Sequence, residues 1–238
     1  MKPEEVKIHA LVYGDYPDLH RHVLGILTHK PEVTQALLWL NEPGAESLKI
    51  IEQFCRNPSN NTRYVHEPGN THKYVAMRRM FSKLTNQKWV VWFDDDSRLE
   101  LQDNGTKWFD QMREYIEARE NENICYVGQP WFVDYLPGQM EFIKQSSWYK
   151  GLPPKMRGTR PIVEFAQGSY WWLRRDVQEL LDWPDPRLEH NGGDTLLGEA
   201  VRQQGLPFHK FWKGIRPNGA KRRGFHQRPA GSTVDCRR

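Results

Sequence analysis

The sequence predicts an α/β fold: a mixed, mostly parallel central sheet with helices on both faces. Three observations carry that expectation. Strand-like and helix-like segments alternate through the first hundred residues, four strands in all. The fourth, KWVVWFDDD at 88–96, is apolar on successive residues, as a strand covered on both faces must be. Neither an internal repeat nor a low-complexity linker interrupts the chain, so one continuous domain is expected over 1–238.

Each element follows from its own pattern. VKIHALVYGD (6–15) reads as a strand closed by a glycine turn, and DLHRHVLGILTHK (18–30) as a helix with Leu19, Val23, Ile26 and Leu27 on one face. QALLWLNEPG (35–44) is a second strand with a sharp stop. ESLKIIEQFCR (46–56) is a helix with Leu48, Ile51 and Cys55 aligned, and TRYVHEPGN (62–70) is a short third strand. THKYVAMRRMFSKL (71–84) places Tyr74, Met77, Phe81 and Leu84 on one helical face, with Thr71 as the expected N-cap. Beyond the fourth strand the pattern is less regular. Residues 106–120 read as a helix. CYVGQPWFV and PIVEFAQGSYWWLRRD carry strand-like runs, the second broken at Gly168 and Ser169. DVQELLDW and GDTLLGEAVRQQG are helical, the latter ended by Gly205.

Composition narrows the function classes. The chain has 38% hydrophobic and 27% charged residues, which suits a soluble globule rather than a disordered chain. Its three cysteines show no CxxC spacing, so a reducing compartment is expected. The first residues lack a signal-peptide pattern and no run approaches the ~18 apolar residues of a membrane span, so the expected location is cytoplasmic, away from membranes. A net charge of +4 hides an asymmetry: from Arg202 onward there are ten Lys/Arg against the single acid Asp235. Such a segment is either a solvated tail or a surface for a phosphate-rich partner.

Several clusters carry chemistry. Asp94, Asp95 and Asp96 crowd three carboxylates onto the end of a hydrophobic strand, which a divalent cation would neutralise; oxygen-only ligands favour Mg²⁺ or Mn²⁺. Asn70 and Lys73 lie where a helix starts after a strand, and Lys73 with Arg78 would neutralise a diphosphate there. Asp194 follows two glycines and opens a helix, as an N-cap or as a general base on a glycine-hinged loop. Gly168 permits close approach of a ligand to the backbone, and the aromatic run after Ser169, including Trp171 and Trp172, is either core or a stacking wall.

In this order the segments resemble the GT-A fold glycosyltransferases, most closely those of the family 2 type, over roughly residues 6–226. The resemblance implies that Asp94 and Asp96 form the family's DxD motif, Asp94 on the nucleotide side and Asp96 on a divalent metal, with Asp95 beside them. Asn70 to Arg78 match the family's N-x-G-K-x-x-A-x-N/R run, with His72 in place of the glycine. Tyr13, Gly14 and Glu42 fall where the nucleotide base and ribose lie. The stretch 166–169, with Gly168 and Ser169, resembles the acceptor-side loop. Gly192-Gly193-Asp194 stands where the family has xED, which makes Asp194 the base of an inverting enzyme. The metal-shell histidine corresponds to His226, ahead of its competitor His209. Asp94 is a further metal-ligand candidate.

The implied activity is metal-dependent transfer of a sugar from a nucleotide-sugar, expected to be a UDP-sugar. About 1–104 would form the donor half, 105–210 the acceptor and catalytic half, and 211–238 a basic tail. The basic tail, with Trp212 and Phe225 among its cations, suits a nucleic-acid acceptor such as hydroxymethylpyrimidine in DNA. A saccharide or protein acceptor, a Mg²⁺-dependent nucleotidyltransferase and a non-catalytic nucleic-acid-binding module are the competing readings.

Overall fold

The computed structural model describes residues 1–99, 108–135, 137–189 and 192–217, so His226 and the segment around it lie outside the described residues. The first half alternates as the sequence predicts: β1 (Val6–Tyr13), α1 (Pro17–Thr28), β2 (Gln35–Asn41), α2 (Ala45–Arg56), β3 (Thr62–His66), α3 (Lys73–Phe81) and β4 (Trp89–Phe93). Then follow β5 (Ser97–Leu99), α4 (Trp108–Glu117), β6 (Tyr126–Asp134), α5 (Pro137–Lys144), β7 (Lys155–Arg157), β8 (Arg160–Arg174), α6 (Arg175–Leu180), α7 (Gly193–Gln203), β9 (Phe208–Lys210) and β10 (Ile215–Pro217).

The main sheet runs β3-β2-β1-β4-β8-β6-β9, with β7 against β8; β5 and β10 form a small antiparallel pair of their own. Strands β1 to β4 are mutually parallel, and β8 is antiparallel to its neighbours β4, β6 and β7. All five residues of β4 are buried, because alternate side chains enter different cores. Val90 and Trp92 meet α3 and α7, with Tyr74, Met77, Phe81, Leu197 and Val201. Trp89, Val91 and Phe93 meet α1 and α4, with Val23, Leu27, Trp108 and Met112. The predicted helices on both faces are thereby accounted for.

Three local expectations change. Thr71 does not cap α3: His72 holds the cap position, and the Thr71 N–H donates to Asn41 Oδ1 at 2.6 Å. Gly168 and Ser169 do not break the strand. β8 runs unbroken over fifteen residues, and the irregularity lies in its pairing instead, between Gly128↔Trp171 and Pro130↔Ala166. Residues 167–170 of β8 thus bulge opposite Gln129. Trp171 and Trp172 are fully buried, one in each core, so they are packing residues and not a stacking wall.

Because Phe93 pairs with Tyr170, β8 continues past the end of β4, and its first half pairs with Pro130–Asp134 of β6. This β6–β8 arm projects beyond the C-terminal edge of the parallel strands. Among the described residues no helix is long and apolar enough to cross a membrane.

Candidate active site

The parallel strands end together, and their last residues tie to one another. Tyr13 pairs with Asn41, Gly14 N–H donates to Asn41 O at 3.0 Å, and Asn41 Nδ2 donates to Asn70 Oδ1 at 2.9 Å. Gly14 and Glu42 both take positive φ, +67° and 52°, a turn that glycine adopts freely and glutamate does not. Tyr13, Gly14, Glu42 and Asn70 are therefore adjacent at one strand edge, as the sequence placed them. Behind them Ser47 Oγ donates to Asp15 Oδ1 at 3.2 Å and lies 2.8 Å from His20 Nδ1. No sequence pattern singled out that network, in which His20 and Ser47 are buried and Asp15 is exposed.

The three aspartates diverge. Asp95 is 3% exposed and accepts the Tyr13 N–H at 3.1 Å, which ties the end of β4 to β1. That bond gives Asp95 a structural role at the strand ends. Asp94 turns the other way: Trp92 Nε1 donates to its Oδ1 at 2.8 Å, and Lys73 Nζ lies 2.9 Å away. Asp96 keeps Oδ1 buried with no hydrogen-bond partner among the described residues. Burial, reinforced by the Asp94 charge, pushes its carboxyl up to about 6.

Lys73 is the hinge of the cluster. It is the first residue of α3, and its ammonium also reaches Asp194 Oδ2 at 3.5 Å. Burial works against its charge, yet Asp194 and Asp94 hold it well above the ordinary lysine value. It is already neutralised by these carboxylates and is not a free cation for a diphosphate. Arg78 does not join it; the carboxylates that face Arg78 are Asp182 and Asp185, in the turn after α6.

Asp194 sits in the first turn of α7, not on a loop and not at the cap, which is Gly192 at φ +83°. The two glycines before it have separate causes. Gly192 makes the left-handed turn into the helix. A β-carbon on Gly193 would run into the phenol ring of Tyr74, whose hydroxyl accepts the Asp194 N–H at 3.1 Å. Tyr74 and Trp92 thus orient the two carboxylates, and sequence reasoning assigned neither that role.

The bulge of β8 closes the site. A β-carbon on Gly168 would fall closer than 3.0 Å to both Asp194 Oδ2 and Asp94 Oδ2. Ser169 is held by its carbonyl, which accepts from Ser97 Oγ. Ser169 Oγ, Gln167 Oε1 and Gln129 Oε1 are buried without hydrogen-bond partners among the described residues. A bound ligand, ion or water is one way such buried polar atoms complete their bonding. Among the described residues, no group of three or more His, Cys, Asp or Glu is placed to hold a metal ion. His209 lies on the edge strand β9, 3.2 Å from Glu122 Oε2, which engages it away from this cluster.

By sequence, no family model and no curated protein matches the chain. By structure, it matches a mannosyltransferase of Pyrobaculum calidifontis, PcManGT, in complex with GDP-Man and Mn²⁺. The TM-score is 0.65 at 12% identity, over 93% of this chain and 59% of that one. The fold is GT-A. Residues 1–349 of Staphylococcus aureus TarS in complex with UDP give a TM-score of 0.54 at 11% identity, over 87% of this chain and 59% of that one. GalNAc-T7 with UDP, GalNAc and Mn²⁺ gives 0.57 at 10% identity, over 85% and 41%. The chain spans three fifths or less of the length of these GT-A structures.

Proposed function

We propose that the chain transfers a sugar from a nucleoside diphosphate sugar to an acceptor hydroxyl. The observation that carries the reading is the convergence of Lys73, Asp94 and Asp194 against Gly168, at the C-terminal edge where open α/β sheets take their ligands. GT-A structures that hold GDP-Man or UDP, two of them with Mn²⁺, support a nucleotide-sugar donor, with a UDP-sugar as the expected one.

A divalent cation, Mn²⁺ or Mg²⁺, fits Asp96. Its buried Oδ1 lacks a protein partner among the described residues, and a hard cation takes oxygen ligands. Asp96 would hold the ion, with Asp94 a further ligand candidate and His226 the one the family resemblance adds. When bound, the metal supplies positive charge against the diphosphate that leaves.

The chain's own residues do the rest. Asp194 accepts the proton of the acceptor hydroxyl as that oxygen bonds to the anomeric carbon. The bond from that carbon to the diphosphate oxygen breaks, its electron pair leaves with the nucleoside diphosphate, and attack from the opposite face inverts the configuration. Lys73, Tyr74 and Trp92 fix the carboxylates in place beforehand, so little reorganisation accompanies the reaction. Gly168 lets both carboxylates pack against the backbone of β8.

The acceptor in this reading is DNA that carries a hydroxymethylpyrimidine. The support is the ten Lys/Arg against one acid from Arg202 onward. The test is a mass-spectrometric screen of nucleotide-sugars against hydroxymethylated DNA and simple glycans with Mn²⁺. A sugar-sized mass gain on DNA is expected. The absence of both a mass gain on any acceptor and Mn²⁺-dependent nucleotide binding would sink the transfer reading.

A further inference from the structure

The β6–β8 arm carries a cavity of about 410 Å³ beyond the edge where Asp94 and Asp194 meet. Beyond Gly128 the pairing of β6 with β9 stops, so the residues from Pro130 outward form an edge strand on that side. Its walls include Trp131, Phe132 and Trp212, which are 53%, 43% and 52% exposed. Elsewhere in this chain tryptophan is core: Trp39, Trp92, Trp108, Trp171, Trp172 and Trp183 are fully buried. Two half-exposed indoles at one cavity are therefore a local departure, of the kind that marks a binding site.

The charge at the same cavity is one-sided. Lys155, Arg157 and Lys210 line it against a single carboxylate, Glu164, which accepts from Lys155 and lies 2.5 Å from Lys210 Nζ. Arg157 stays outside that ion pair, its guanidinium 4.0 Å from the Phe132 ring. Cations beside aromatic faces suit a ligand that is both anionic and planar. A single-stranded nucleic acid is such a ligand: phosphates meet the cations and bases stack on the rings. A neutral saccharide would use the indoles and leave the excess charge without a partner.

Position completes the case. Glu164 precedes Gly168 by four residues along β8, roughly 13 Å at the rise of a strand. The cavity therefore sits on the same end of the sheet as the carboxylates, one short step away. We infer that the cavity holds a base and phosphate of the acceptor strand while a neighbouring nucleotide reaches Asp194. The inference rests on the proposed transfer to a nucleic acid and names the surface that recognises it.

The experiment is fluorescence anisotropy of a labelled oligodeoxythymidylate with the full chain, across a salt series, beside UDP titrations in Mn²⁺. Trp131→Ala is expected to weaken oligonucleotide binding by about tenfold, the loss of one stacked base. Arg157→Ala should flatten the slope of log K against log salt by about 0.7, one phosphate contact on a single strand. Neither variant should change UDP binding. Both side chains are exposed at the cavity, and each variant checks the other. Oligonucleotide binding that neither change affects overturns the inference, as does a wild-type chain that binds no oligonucleotide. Tryptophan quenching by maltoheptaose, lost in Trp131→Ala, would assign the cavity to a saccharide instead. If the oligonucleotide results hold while no nucleotide-sugar is bound or turned over, the transfer reading fails and the cavity assignment stands.

Discussion

Gly168 faces Asp194 with no room for a β-carbon between them. The same position abuts Asp94, so one missing methyl group decides whether both carboxylates can keep their place. Gly168→Ala should push Asp194 and Asp94 apart from Lys73, whose ammonium now bridges them. Overpacking of this kind costs about 1–3 kcal/mol of stability. A displacement of the order of an ångström at the reacting groups is worth about 100-fold in turnover. Thermal melting and sugar-transfer rates, measured on the same preparation, should show a modest stability loss beside a large rate loss.

Asp194 and Lys73 should separate chemistry from structure. Asp194→Asn keeps the shape of the side chain and the N–H bond to Tyr74 while removing the base. Transfer is expected to fall by about 10²–10⁴ with UDP binding retained. Lys73→Met removes the only cation paired with Asp94 or Asp194 among the described residues, leaving two buried-edge carboxylates to repel each other. Breaking a buried pair in this way costs about 3–5 kcal/mol. Urea denaturation should therefore report Lys73→Met as the less stable of the two variants.

The parallel half of the fold was legible because its signals are local. Each of β1, β2 and β4 is a short apolar run between a helix-period segment and a turn, and burial on both faces leaves little else such a run can be. The length of β8 was not legible. Gly168 carries the signature of a break, but β4 and β6 hold the strand on either side of it, so the irregularity moved into the pairing. The site was legible residue by residue and less so as a set. Asp94, Asp194 and Gly168 converge, yet the partners that orient the carboxylates lie far off in sequence. Lys73 reads as a phosphate-facing cation until the fold places it between two carboxylates. Trp92 and Tyr74 read as core, and each spends its one polar atom on the site. Arg78 shares a helix with Lys73, but the helical turn carries it round toward Asp182 and Asp185.

Asp96 sets a pH dependence on the metal-free chain. Its carboxyl stands at about 6 in the folded state against 3.8 as an ordinary aspartate. The folded chain therefore binds the proton more readily than the unfolded one. The resulting stabilisation is fully present below pH 4 and is lost as pH rises through 6. Asp96→Asn should remove that part of the pH dependence, so the difference in unfolding free energy between variant and wild type should change between pH 4 and 7. Without metal the wild type should lose stability relative to the variant across this window. A cation that binds the ionised carboxylate should offset the loss, so Mn²⁺ should raise the wild-type melting temperature more at pH 7 than at pH 5 and leave Asp96→Asn nearly unmoved.

Asp95 and Asp96, adjacent in sequence, should fail in different ways. Asp95 joins β4 to β1 through the Tyr13 N–H, in a position 3% exposed. Asp95→Ala leaves that N–H without its carboxylate, a loss of about 1–3 kcal/mol. Its main effect should be a lower midpoint of unfolding, with Mn²⁺-dependent UDP binding retained in the protein that remains folded. Asp96→Ala removes an oxygen that no described residue bonds, so the fold should hold while Mn²⁺-dependent UDP binding disappears. Calorimetric titration of UDP with and without Mn²⁺, paired with denaturation of each variant, reads both outcomes. Equal loss of metal-dependent binding in the two variants would assign Asp95 to the donor site.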